Sequence, residues 1–154
     1  MDYWQRIRQV VGKETLIIPG AVGAVTQAGK ILLVRHNIGR KWQIPGGIQE
    51  VGESVQQTAE REIKEELNLD LAAGPLISVY SHPKWMLELP NGDKIQQLTF
   101  FFVMQGEFSP VSLQTSEISA YQFFAPDEIP EDTFDCCKQK VSDWKQFQGQ
   151  VIFR

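Results

Sequence analysis

Of 154 residues only two are cysteine, and they are neighbours, Cys136 and Cys137. Adjacent cysteines form neither a disulfide framework nor the spaced pairs of a zinc site, so reduced thiols in a cytoplasmic protein are expected. Histidine is as scarce: His36 and His82 stand alone, without metal-site partner spacing, and read as structural or exposed. No uncharged apolar run is long enough to span a bilayer, and MDYWQRIRQVVG carries charge where a secretory leader needs its apolar segment. Basic excess is missing too. The net charge of -4 argues against a nucleic-acid surface, yet leaves room for a small phosphorylated substrate beside a bound cation. With 42% hydrophobic and 22% charged residues and no long polar tract, the composition is that of a globular protein, and the length suits one domain over 1–154.

Tyr3, Trp4, Ile7, Val10 and Val11 fall at helical spacing before Gly12, which predicts an amphipathic helix over 2–11, appended to the domain and available for a homodimer. LIIPGAVGAV (16–25) and KILLVRH (30–36) read as two strands joined in a hairpin at Gln27-Ala28-Gly29, with Pro19 and Gly20 marking a bulge or an edge. Strands are also expected at 75–82, 85–89, 94–106 and 120–125, with Pro90-Asn91-Gly92-Asp93 as a hairpin turn. The Phe100 to Val103 run reads as a central strand buried on both faces. A last helix is expected over about 132–148, its stripe of Phe134, Cys137, Val141 and Trp144 capping the sheet.

The informative stretch is Gly46 to Leu69, GGIQEVGESVQQTAEREIKEELNL. Gly46 and Gly47 after Pro45 let the backbone turn and approach a ligand. Ser54 followed by Gln57 is a capping-box pattern that starts a helix at Ser54 and leaves Glu53 in the loop before it. Val55, Ala59, Ile63 and Leu67, four apart, form the core stripe. Beside it Glu62, Glu65 and Glu66 share an arc of roughly 100°, with no basic residue inside that arc. Like charges near 4 Å repel by roughly 4 kcal/mol per pair at an effective dielectric of about 20. A hard divalent cation relieves that, and oxygen-only ligands point to Mg²⁺ or Mn²⁺. Glu60 with Lys64 and Arg61 with Glu65 are also the four-apart pairs of any solvated helix face. What sets this helix apart is its place after a capped start, a loop acid and a Pro-Gly-Gly turn.

The stretch resembles the signature box of the Nudix hydrolases: Gly47, Glu53, Arg61, Glu62, Ile63, Glu65, Glu66 and Leu69 stand at its places. Asn68 replaces the usual glycine at the helix end, where a left-handed backbone is wanted and asparagine is the best substitute. The resemblance implies a Nudix-type α/β/α sandwich with a mixed central sheet, and metal-dependent hydrolysis of a nucleoside diphosphate linked to another moiety. It implies Glu62, Glu65 and Glu66 as metal ligands with the Gly46 carbonyl a further candidate, and Arg61 paired with Glu53 to orient them. It implies as base one of the box glutamates or a residue on a later loop, for which Glu117 is the candidate. Arg35, Arg40 and Trp42 before the glycines, and Trp85 after the box, are the candidates for contact with a small-molecule nucleotide. A nucleotide-sensing module of the same fold without turnover is the alternative.

Overall fold

The computed structural model describes residues 1–89, 91–113 and 116–154. Helix α1 (Tyr3–Val11) opens the chain and stops at Gly12, whose φ of 66° suits glycine. Strands β1 (Leu16–Ala24), β2 (Thr26–Gln27), β3 (Lys30–His36), β4 (Trp42–Gln43) and β5 (Gly46–Ile48) lead into helix α2 (Val55–Leu67). After it come β6 (Ala72–Tyr80), β7 (Leu87–Glu88), β8 (Lys94–Gln105), β9 (Ile118–Phe124), helix α3 (Asp135–Gln146) and β10 (Ile152–Phe153).

One sheet runs β10-β6-β8-β1-β5 with β7 beside β8, and a second runs β2-β3-β4 with β9 beside β3. The first is mixed, since β1 pairs with β8, and β6 with β10, in parallel while its other pairs are antiparallel. Alternation along the strands sorts side chains to two faces. Ala59, Ile63 and Leu67 of α2 pack with Ala21, Phe102 and Met104 on one face. On the other, Cys136, Cys137 and Val141 of α3 pack with Ala24, Ile77 and Phe101. The result is the expected α/β/α sandwich, with the Phe100 to Val103 run central between β6 and β1. No helix among the described residues is long and apolar enough to cross a membrane.

Three local expectations are corrected and a fourth, at Pro19, is narrowed. Residues 16–25 do not form a hairpin with 30–36: β1 is taken up by β8 and β5, the chain changes sheets at Val25, and only Thr26 and Gln27 face Ile31 and Lys30. Pro19 is not bulged, since the register with β8 runs through it unbroken, but it does sit at a local edge: the β5 ladder covers only Gly20–Val22, so its missing N–H faces the side where β5 has ended and its carbonyl accepts from Gln49 N at 3.0 Å. The strand expected over 85–89 shortens to Leu87–Glu88, because His82 Nδ1 accepts from Lys84 N at 3.1 Å and caps a 3₁₀ segment over Pro83–Trp85 that takes its first residue. The last helix begins only at Asp135, since Asp132 O accepts from Trp42 N and Phe134 N donates to Trp42 O, which holds 132–134 extended against β4. Of the turn at 90–93, Pro90 lies outside the described residues, and Gly92 has the positive φ (80°) that a turn uses glycine for.

Candidate active site

The box folds as two pieces facing each other. Antiparallel pairing with β1 places Gly46 opposite Val22 and Gly47 opposite Ala21, at the edge of the mixed sheet beneath α2. A Cβ on Gly47 would lie 2.4 Å from the Glu62 carboxyl carbon, so a bare backbone is what lets that carboxylate rest on the strand. Across from it, α2 starts at Ser54 with both capping-box bonds made: Gln57 N to Ser54 Oγ at 3.2 Å, and Ser54 N to Gln57 Oε1 at 2.8 Å. It ends at Asn68, left-handed at φ 55°, whose N–H donates to Lys64 O at 3.0 Å.

Arg61 is the hub. Its Nε donates to Glu53 Oε1 at 2.5 Å, Nη2 to Glu53 Oε2 at 3.1 Å and to Ile48 O at 3.0 Å, and Nη1 to Glu62 Oε1 at 2.8 Å and Glu65 Oε2 at 3.0 Å. Glu53 also accepts from Glu50 N (3.1 Å) and Thr58 Oγ1 (3.0 Å), and the Arg61 guanidinium holds its carboxyl below the usual range. The acid arc is therefore not without a cation. A helix-wheel angle ignores side-chain length, and Arg61 reaches in from beside the arc.

Glu66 is 2% exposed, with Oε2 accepting from Gly46 N at 3.2 Å and Oε1 lying 3.0 Å from His36 Nε2. Burial raises its carboxyl pKa, the His36 and Gly46 contacts oppose that, and the charge of Glu117 adds to the rise, which puts Glu117 in electrostatic reach of the site. Burial likewise pushes Glu62 up to about 7, against the pull of Arg61 and with Glu66 and Glu65 repelling. The folded state thus binds more protons than the unfolded one between 4.5 and about 7. Metal-free protein should lose stability as pH rises through that window, by up to about 3 kcal/mol. Melting temperatures across that range in EDTA check this; a profile that is flat or rises with pH would refute it. Added divalent cation should remove the loss, because ligation needs the carboxylate.

The residues present fit a hard divalent cation: every donor is oxygen, two carboxylates are buried with incomplete compensation, and Gly47 leaves open the space a Cβ would fill. Among the described residues no three acid, histidine or cysteine side chains are already gathered as a ligand set. Arg61 Nη1 stands between Glu62 and Glu65 instead.

The expected substrate contacts are dispersed. Period-two alternation turns His36 toward Glu66 and Arg35 to the opposite face, where Nη2 meets Asp132 Oδ2 at 2.6 Å and the guanidinium lies 4.7 Å over the Trp42 ring. Trp42 is corrected to a core residue: it is 7% exposed and edge-on to Phe124 at 5.1 Å. Trp85 is half-buried, edge-on to Tyr80 at 5.3 Å with Lys84 over its ring. Arg40 is exposed, with a φ of 50° in the turn that follows β3. His36, expected to be structural or exposed, lies instead against Glu66. The signal for it was there in β3, since it follows Leu32 and Val34 on the face toward α2.

The NUDIX domain family model matches residues 18–145. A putative 8-oxo-dGTP diphosphatase of Bacillus subtilis (strain 168) is 28% identical over 121 residues, 79% of this chain and 74% of that protein. An ADP-ribose pyrophosphatase of Methanocaldococcus jannaschii is 33% identical over 116 residues, 73% of this chain and 64% of that protein. Among solved structures, a MutT NUDIX hydrolase from Burkholderia pseudomallei shares the fold with a TM-score of 0.68 at 21% identity, over 84% of this chain and 98% of that one. Domain match, sandwich fold and the Gly47-to-Leu69 box agree that the chain belongs to the Nudix hydrolase family and is a Nudix-type pyrophosphohydrolase.

Proposed function

We propose that the chain is a Mg²⁺-dependent enzyme that cuts the diphosphate linkage of a nucleoside diphosphate derivative of the ADP-ribose, nucleotide-sugar or nucleoside triphosphate type. The observation that carries this is the set of carboxylates facing Gly46 and Gly47, with Arg61 joining Glu53 to Glu62 and Glu65. Both an 8-oxo-dGTP diphosphatase and an ADP-ribose pyrophosphatase among the relatives support the substrate range.

Glu62, Glu65 and Glu66 would hold Mg²⁺ or Mn²⁺, with the Gly46 carbonyl as a further oxygen. The cation supplies polarisation of the diphosphate, neutralisation of developing charge and a lowered pKa of the attacking water. The remaining work falls to the chain itself. Glu53 fixes Arg61, and Arg61 fixes the oxygens of Glu62 and Glu65. His36 and Gly46 N hold the two oxygens of Glu66. Glu117 is the base candidate outside the box, its backbone tied by Asn37 N to Glu117 O at 2.8 Å while its carboxylate remains exposed to take a proton from water. Arg40 supplies an exposed cation for a substrate phosphate.

The test is incubation with Mg²⁺ and a panel of ADP-ribose, nucleotide sugars, 8-oxo-dGTP and ordinary nucleoside triphosphates, following released monophosphate or pyrophosphate. Product from at least one class is the expected outcome. Binding of ADP-ribose with no product from any of them would instead make this a nucleotide-sensing module.

A further inference from the structure

Helix α1 lies before the residues that the family model matches, so it is an addition to the domain. It contributes no fully buried residue, and packing alone holds it thinly. Tyr3, Trp4 and Ile7 border one small pocket together with Leu16, Ile48 and Gln49, so α1 lies beside the segment that links β5 to the Glu53 loop.

Two polar anchors fix its ends. At the start, Tyr3 N donates to Glu50 Oε2 at 3.2 Å. At the finish, Asp93 (its side chain 3% exposed) accepts from Lys13 Nζ at 2.8 Å and forms a longer ion pair with Arg8 Nε at 3.5 Å, while Arg8 Nη1 donates to Gly12 O at 3.0 Å and Nη2 to Lys94 O at 3.4 Å. The segment so held is the one that Arg61 and Glu53 lean on. Ile48 O accepts from Arg61 Nη2 at 3.0 Å, Glu50 N donates to Glu53 Oε2 at 3.1 Å, and Glu53 N donates to Glu50 O at 3.2 Å.

We propose that α1 is a positioning element of the active site: clamped through Asp93 and bonded to Glu50, it fixes residues 48–50 and with them the Glu53–Arg61 pair that sets Glu62 and Glu65. Asp93 and Glu50 are thus positioning residues, far from or beside the acids but acting through Arg61. This rests on the reading of Glu62 and Glu65 as holders of the cation given above.

A double-mutant cycle on the full chain tests it, with wild type, Asp93→Asn, Arg61→Lys and the double variant compared. Calorimetry with Mn²⁺ gives cation affinity without any substrate, and kcat and KM follow on whichever nucleotide of the panel is cut. Asp93→Asn should weaken Mn²⁺ binding about tenfold and lower kcat with KM unchanged. The double variant should be no worse than Arg61→Lys alone, because both changes act through one guanidinium. Wild-type Mn²⁺ affinity and kcat in Asp93→Asn, or effects that simply multiply in the double variant, overturn the clamp while leaving the site reading intact. Mn²⁺ binding unaffected by Arg61→Lys removes the clamp's target and overturns the proposal, whereas wild-type protein that binds no Mn²⁺ overturns the site reading as well. Should Asp93→Asn fail to fold, Glu50→Ala takes its place in the cycle: it removes the acceptor for Tyr3 N and keeps both backbone bonds to Glu53.

Discussion

Glu66→Gln should abolish cation-dependent turnover, by on the order of 10³-fold, while leaving the fold at least as stable as it was. The amide is nearly isosteric with the carboxylate, so its oxygen can still accept from Gly46 N and its NH₂ can face His36 Nε2. The wild-type carboxylate is raised in pKa by burial, so its charged form is a cost to the folded state at neutral pH. A neutral side chain removes that cost, and the melting temperature in EDTA should stay level or rise. What the variant should lose is stabilisation by Mg²⁺, which in wild type grows with the logarithm of cation concentration above its dissociation constant. Melting curves with and without Mg²⁺, alongside turnover, separate the two effects. A variant that still melts higher in Mg²⁺ and still turns over would remove Glu66 from the cation site.

The two adjacent glycines should fail in opposite ways when replaced by alanine. Gly46 has φ 145°, and a Cβ there would sit 2.3 Å from Ala21 O and 2.5 Å from Val22 Cα, both backbone atoms of a central strand that cannot give way. Gly46→Ala should therefore cost stability on the order of 3–5 kcal/mol, read as a large fall in the denaturation midpoint. At Gly47 the colliding group is the end of the Glu62 side chain, 2.4 to 2.7 Å from the added Cβ. A carboxylate can swing aside, so Gly47→Ala should fold with a loss of only about 1 kcal/mol. Swinging aside breaks the Glu62 contact with Arg61 and moves a proposed cation ligand, so turnover should fall on the order of 10²-fold. Denaturation and kinetics on both variants check the contrast; equal stability losses would show that Glu62 is not resting on Gly47.

Much of the site was legible because it is local. A capping box, an apolar stripe and three acids within one helix all follow from helical period, and Ser54, Val55 to Leu67 and Asn68 behave as that period dictates. The loop acid Glu53 and the glycines were legible through their intervals, which the resemblance to the Nudix box supplied. What escaped depends on contacts distant in sequence. Period two in β3 puts His36 on the face of Leu32 and Val34, but that this face meets Glu66 depends on how β3 packs against α2, which no local spacing announces. Arg35 and Trp42 looked like neighbours of the acids along the chain, but strand alternation sends them to the face packed by α3. The hairpin at 27–29 forms, but with Thr26–Gln27 rather than residues 16–25 as its first arm, because the nine-residue parallel match of Leu16–Ala24 to Ile95–Val103 holds β1 in the other sheet.

That parallel match also sets an order of events. Leu16 finds its partner in Ile95, so the strand carrying the floor of the site has no ladder on that side until the chain beyond the box has arrived. Local pieces such as α2 can form and fray early, but joining β1 to β8 closes a long loop before any contact rewards it, and such closures slow folding. During synthesis the acid helix and its glycine strand must therefore wait for β8 to emerge, and the proposed cation site is completed late, near the end of folding.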